Sequence, residues 1–78
     1  IIITEIRGGE LTSIETSDDD VRAIVNCFGS STLVFTSPDK PSAHIDGKQT
    51  QMSWNGARRS GIVEILAPGK HVVALERL

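Results

Sequence analysis

Branched apolar residues recur with a period of two along most of the chain, and the runs they form are broken by glycine pairs and by Pro68-Gly69. That period puts alternate side chains on opposite faces of an extended backbone, so each run predicts a β-strand. Residues 1–7 place Ile2, Thr4 and Ile6 on one face and Ile1 and Ile3 on the other, and Gly8-Gly9 predicts a reversal after them. Residues 10–16 form a weaker run. Leu11 and Ile14 are three apart there, and they can share a face only if a bulge falls near Thr12-Ser13.

Further along, residues 37–41 hold Pro38 and Pro41 and read as a loop, because proline cannot donate to a ladder. Residues 42–45 predict a short strand with Ala43 and Ile45 on one face. Asp46-Gly47 is a strong two-residue hairpin signal, and residues 48–54 alternate with Thr50, Met52 and Trp54 inward. Asn55-Gly56 turns again, and residues 57–61 are a polar loop. Residues 62–67 and 72–78 then face each other across Pro68-Gly69, which predicts a closing hairpin with Val63, Ile65, Val73 and Leu75 in the core.

Two readings compete over residues 17–29. As a helix, the segment has Ser17 as cap with Asp20 three residues on, Val21, Ile24, Val25 and Phe28 at helical spacing, and Gly29 as terminator. As a strand, it lines up Val21, Ala23, Val25 and Cys27 on one face and turns at Gly29-Ser30 into residues 32–36. The β-branched Val21, Ile24 and Val25, the poor helix formers Asn26 and Cys27, and the need of residues 32–36 for a neighbour favour the strand. The sum is an all-β fold, a compact antiparallel, immunoglobulin-like β-sandwich of about seven or eight short strands. An α+β fold with a short helix at residues 18–28 is the alternative.

Length makes this a single module, because 78 residues bury too little surface to be divided further. Aromatics are 4% of the chain, so the core is aliphatic. Eight Lys and Arg stand against ten Asp and Glu, for a formal charge of −2, which argues against nucleic acid. A membrane span would need an apolar run of about 20 residues, and the sequence contains none. The single cysteine, Cys27, forms no internal disulfide, and no spacing calls for zinc or another cofactor. The chain opens at Ile1 rather than at methionine and is expected to be a module of a larger protein. Ile62, Leu66, Val72, Ala74, Ile1 and Ile3 fall on faces that a lone sandwich would wet, which predicts a second apolar surface for contact with another domain.

The phrases Ala43-His44-Ile45-Asp46-Gly47-Lys48 and Leu66-Ala67-Pro68-Gly69-Lys70-His71-Val72-Val73 resemble the C-terminal β-sandwich modules appended to glycoside hydrolases. In those modules a strand ending in Asp-Gly-Lys or Asn-Gly-Lys precedes a last hairpin of the form Pro-Gly-Lys-His-x-Val. The likeness spans about two-thirds of the chain and rests on hairpin chemistry that unrelated sandwiches share. The short Pro-Glu-Gly-Ala type repeats of bacterial surface proteins use similar phrasing over a shorter span. The first likeness implies a secreted or cell-surface, non-catalytic accessory domain that packs on and stabilises a neighbouring carbohydrate-active domain. It transfers no active-site residue.

Among candidate sites, Trp54 with Asn55, Arg58 and Arg59 suits a polysaccharide, since an indole stacks on pyranose C–H groups while amide and guanidinium donors meet hydroxyls. Set against that, Trp54 completes the Thr50-Met52-Trp54 inward face and so reads as core. Asp18-Asp19-Asp20 offers carboxylates to calcium, but successive residues point apart on extended backbone, so a solvated turn is the better reading. His44, His71 and Cys27 carry no local metal or nucleophile signature. No catalytic constellation is apparent, and a non-enzymatic module is expected.

Overall fold

The computed structural model of the chain describes residues 1–18 and 20–77. Seven strands follow one another: β1 (Ile2–Thr16), β2 (Asp20–Thr36), β3 (Ser42–Ile45), β4 (Lys48–Thr50), β5 (Ser53–Asn55), β6 (Ser60–Ile65) and β7 (Gly69–Glu76). Every pairing between them is antiparallel. They form one sheet in the order β4-β3-β7-β2-β6-β5, with β1 added along β2, and the sheet curls into a half-barrel. Among the described residues there is no helix. The strand reading of residues 17–29 therefore stands and the helix at 18–28 does not: Val21, Ala23, Val25 and Cys27 point inward and are at most 3% exposed. Ladder partners on both edges of β2 outweigh the local helical spacing.

The organising element is β2, 17 residues long. One edge pairs with β1 over nearly its whole length. The other pairs with β7 along residues 20–27 and with β6 along residues 31–36. The predicted closing hairpin is thus corrected. Among the described residues β6 and β7 do not pair with each other, and they lie end to end along β2. Pairing both with β2 satisfies the backbone groups of a long central strand, whereas a terminal hairpin would leave that edge bare. The core positions expected from the sequence survive the change, since Val63, Ile65, Val73 and Leu75 are all buried. Leu78 lies outside the described residues.

Two more predicted reversals are not reversals. Gly8-Gly9 sits inside β1 and Gly29-Ser30 inside β2. Both lie at the level where the partner of β2 changes from β7 to β6, so the ribbon bends there rather than turning back. Gly8 has φ +79°, and a Cβ on it would stand 2.5 Å from the carbonyl oxygen of Ser30. Only glycine allows so close a crossing at positive φ. The buried Ser31 hydroxyl then donates to the Gly8 carbonyl at 2.8 Å.

The bend divides the sheet into two leaves, β2-β7-β3-β4 and β2-β6-β5, and their inward residues join in one core. The all-β, antiparallel character is as expected, but the strands belong to one curled sheet and not to two separate layers. Phe35, Leu33, Ile65 and Leu75 are its largest fully enclosed side chains. The expected run over residues 48–54 breaks at Gln51-Met52, where the chain crosses from one leaf to the other, yet Thr50, Met52 and Trp54 keep their half-buried positions. Asp46-Gly47 is the two-residue hairpin expected, with φ values of 53° and 83° and Ile45 opposite Lys48.

Register shifts interrupt the β1–β2 ladder between Ile3 and Glu5, Arg7 and Gly9, and Leu11 and Ser13. The last is the bulge that the spacing of Leu11 and Ile14 demanded. The first overturns the expected faces of residues 1–7: Ile3 and Ile6 lie opposite the inward Phe35 and Leu33, while Ile2 lies opposite Thr36 and points outward. The spare threonines are fastened, Thr4 Oγ1 donating to the Val34 carbonyl at 3.2 Å and Thr12 Oγ1 to the Ile24 carbonyl at 2.9 Å.

Candidate functional site

The residue pair with the most defined chemistry joins the β3–β4 turn to the start of β7. Because β3 pairs with β7, Asp46 comes to lie beside His71 and Val72. The backbone amide of Asp46 donates to the Val72 carbonyl at 2.8 Å, and Asp46 Oδ1 accepts from the Val72 amide at 2.9 Å. Asp46 Oδ2 stands 2.6 Å from His71 Nδ1. The second ring nitrogen, Nε2, faces the carbonyls of Ala67 at 3.0 Å and Pro68 at 3.3 Å.

Carboxylate and carbonyl oxygens only accept, so an imidazole between them does best with a proton on each nitrogen. The hydrogen bond that His71 donates to Asp46 accordingly raises the pKa of His71, with the Ala67 and Pro68 carbonyls adding to it against partial desolvation. Asp46 is lowered, first by the Val72 amide and then by His71. An Asp–His pair is half of a familiar hydrolytic arrangement, but here both ring nitrogens are engaged by acceptors, leaving no lone pair to take a nucleophile's proton. Its chemistry is that of a charged clamp between the β3–β4 hairpin and the β6–β7 connection.

Trp54, on β5, packs against Phe35 with ring centroids 6.3 Å apart and planes 27° from parallel. Gly61 lies opposite Trp54 in the ladder, and a Cβ there would overlap the Phe35 ring. Asn55 Oδ1 accepts from the backbone amides of Ala57 at 3.1 Å and Arg58 at 3.2 Å, holding the turn. Arg58 and Arg59 are exposed and line a shallow recess with Ile1, Ile2 and Pro38, apart from the indole. Of the four candidate glycan residues, Arg58 and Arg59 thus line this recess, while Trp54 packs on Phe35 and Asn55 holds the turn between them.

The remaining candidates separate. Cys27 is buried in the core at the end of the β2–β7 pairing, and His44 lies opposite Ala74 with its Nδ1 buried and unbonded. Among the described residues no group of three or more His, Cys, Asp or Glu side chains could hold a metal ion. Asp18 and Asp20 are exposed, and Asp19 of the same acidic run lies outside the described residues.

The surface carries a clearer feature than any polar cluster. Phe28 is 69% exposed, Leu66 is 76% exposed, and Ile62 is also exposed. Phe28 follows the inward Cys27 on β2 and Leu66 follows the inward Ile65 just past the end of β6, while on the outer face Ile62 lies opposite Val34, Val72 lies opposite Ile24, and the exposed Glu64 stands between Ile62 and Leu66. Of the second apolar surface expected from the sequence, Ile62 and Leu66 are exposed here, Val72 and Ala74 are half-buried, and Ile1 and Ile3 instead pack against the core. Phe28 was not named among them: the helix reading gave it a place on the apolar face, whereas the strand reading, with Val21, Ala23, Val25 and Cys27 inward, leaves it on the other face, where it is found.

The chain has no significant match to any family model, to any curated protein or to any solved structure.

Proposed function

We propose that this chain is a non-catalytic accessory module that packs its convex face against a neighbouring domain of a larger polypeptide and stabilises it. The observation behind this reading is the set of large apolar side chains Phe28, Leu66 and Ile62 left exposed on the side away from the core. The two leaves would work as the two layers of an immunoglobulin-like module do, one rigid body offering an outer face. The sequence resemblance points to the catalytic domain of a carbohydrate-active enzyme as the neighbour. A glycan-binding role for Trp54, Asn55, Arg58 and Arg59 is served less well, since one ring face of the indole meets Phe35 and the Asn55 oxygen holds its own turn.

The test is a double substitution, Phe28→Asp with Leu66→Asp, in the full-length parent protein followed by calorimetry. The neighbouring domain should melt earlier while the β-type circular dichroism of the module persists. A neighbour that melts at the same temperature with either sequence overturns the reading.

A further inference from the structure

A second surface lies on the opposite side of the ribbon. Among the described residues nothing pairs with the outer edge of β1, although the strand is 15 residues long. Leu11 and Ile14 lie opposite Val25 and Ala23, so they face the same side as the buried core, yet they are 42% and 45% exposed. A shallow groove lined by Ile3, Ile6 and Leu11 runs along this edge. The half-barrel is open here.

The sequence of β1 says what would close it. Read outward in both directions from the Gly8-Gly9 bond, Arg7 matches Glu10, Ile6 matches Leu11, Thr4 matches Ser13 and Ile3 matches Ile14. The observed bulges preserve that match in space. Ile3, Ile6, Leu11 and Ile14 all face inward, whereas Arg7 and Glu10 lie opposite Thr32 and Asn26 and face outward. We infer that β1 pairs antiparallel with β1 of a second copy of this chain about a two-fold axis between Gly8 and Gly9.

That register sets Ile6 against the partner's Leu11 and Ile3 against the partner's Ile14 on the core side. On the outer side it sets Arg7 against the partner's Glu10, twice by symmetry. Arg7 already meets Glu5 through Nε at 3.0 Å, and a guanidinium has further donors for a second carboxylate. Shifting the two strands by two residues in one direction puts Glu5 opposite Glu10, and in the other puts Ile14 opposite Glu5. Like charges exclude the first shift and the opposed faces of Ile14 and Glu5 exclude the second, which leaves one register. The sheet then runs unbroken from one copy into the other, and Leu11 and Ile14 leave water.

Sedimentation equilibrium of the full chain across a concentration series tests this. The wild type should dimerise. Arg7→Glu and Glu10→Arg, each of which puts like charges opposite one another, should each weaken the dimer about tenfold or more, and the double swap should restore it. Circular dichroism of each variant shows that the fold is intact. A wild type that stays monomeric overturns the inference and makes the three bulges a guard on the edge. A dimer insensitive to the single swaps, or one not restored by the double swap, overturns it too, because the copies then meet elsewhere. None of these outcomes involves Phe28 or Leu66, so the convex face is judged separately.

Discussion

Asp46 and His71 meet at 2.6 Å where the β3–β4 hairpin meets the β6–β7 connection, and each also holds backbone: the carboxylate takes the Val72 amide, while the imidazole faces the Ala67 and Pro68 carbonyls. The pair thereby fixes the place where the chain leaves β6 and begins β7. Its strength depends on both charges, so it is a source of pH dependence.

The native pKa of His71 lies above its ordinary value of 6.5, so its contribution to stability is complete below about pH 6.5 and is lost as the pH rises through the raised native value. Asp46 lies below its ordinary 3.8, so its contribution is present above about pH 3.8 and is lost as the pH falls through the depressed native value. Thermal unfolding followed from pH 5 to pH 9 should show a midpoint that declines on the alkaline side. In Asp46→Asn that decline should flatten, because the neutral amide no longer favours the imidazolium.

Gly61 and Phe35 are in such close contact that a methyl group cannot enter between them. Gly61→Ala should lower stability by roughly 1–3 kcal/mol in urea unfolding, the range for an overfilled core. Adding Phe35→Leu should recover part of the loss. Additive losses in the double variant would show that the two sites do not share this space.

The two glycines at the bend should behave differently. Gly8→Ala meets both a positive φ and the Ser30 carbonyl, and it should lose roughly 1–3 kcal/mol. Gly29→Ala meets nothing within 4 Å, and it should change stability by less than about 1 kcal/mol. Equal losses at the two positions would contradict the close approach of Gly8 to the Ser30 carbonyl.

Trp54→Ala separates packing from glycan recognition. With the indole seated on Phe35, the variant should lose roughly 1–3 kcal/mol of stability, less than for a fully enclosed tryptophan. Retention in polysaccharide affinity gels should be as for the wild type. A stable variant with abolished retention would instead make Trp54 a sugar platform.

Much of this fold was legible in the chain. Alternation placed Val21, Ala23, Val25, Cys27, Val63, Ile65, Val73 and Leu75 inward, and all are buried. The three-residue gap from Leu11 to Ile14 required the bulge now seen at Thr12. Asp46-Gly47 named its own hairpin, because a two-residue turn between adjacent strands is a local object. By contrast, adjacency in sequence grouped Trp54, Asn55, Arg58 and Arg59 but could not reveal that the indole packs on Phe35 or that the Asn55 oxygen holds its own turn. The Asp46–His71 pair was missed for the converse reason, since 25 residues separate its members and only the pairing of β3 with β7 joins them.

By itself, then, the order of residues determined that the protein is built of strands, which side chains lie inside, and where one tight turn falls. Tertiary structure alone decided which glycines reverse the chain and which merely bend it. Gly8, Gly29 and Gly69 offer the same local freedom as Gly47, but a glycine becomes a turn only if the strands on either side of it pair with each other. Here β2 is long enough to take β6 and β7 end to end along one edge and β1 along the other, and satisfying its backbone hydrogen bonds on both sides overrode the local turn signals.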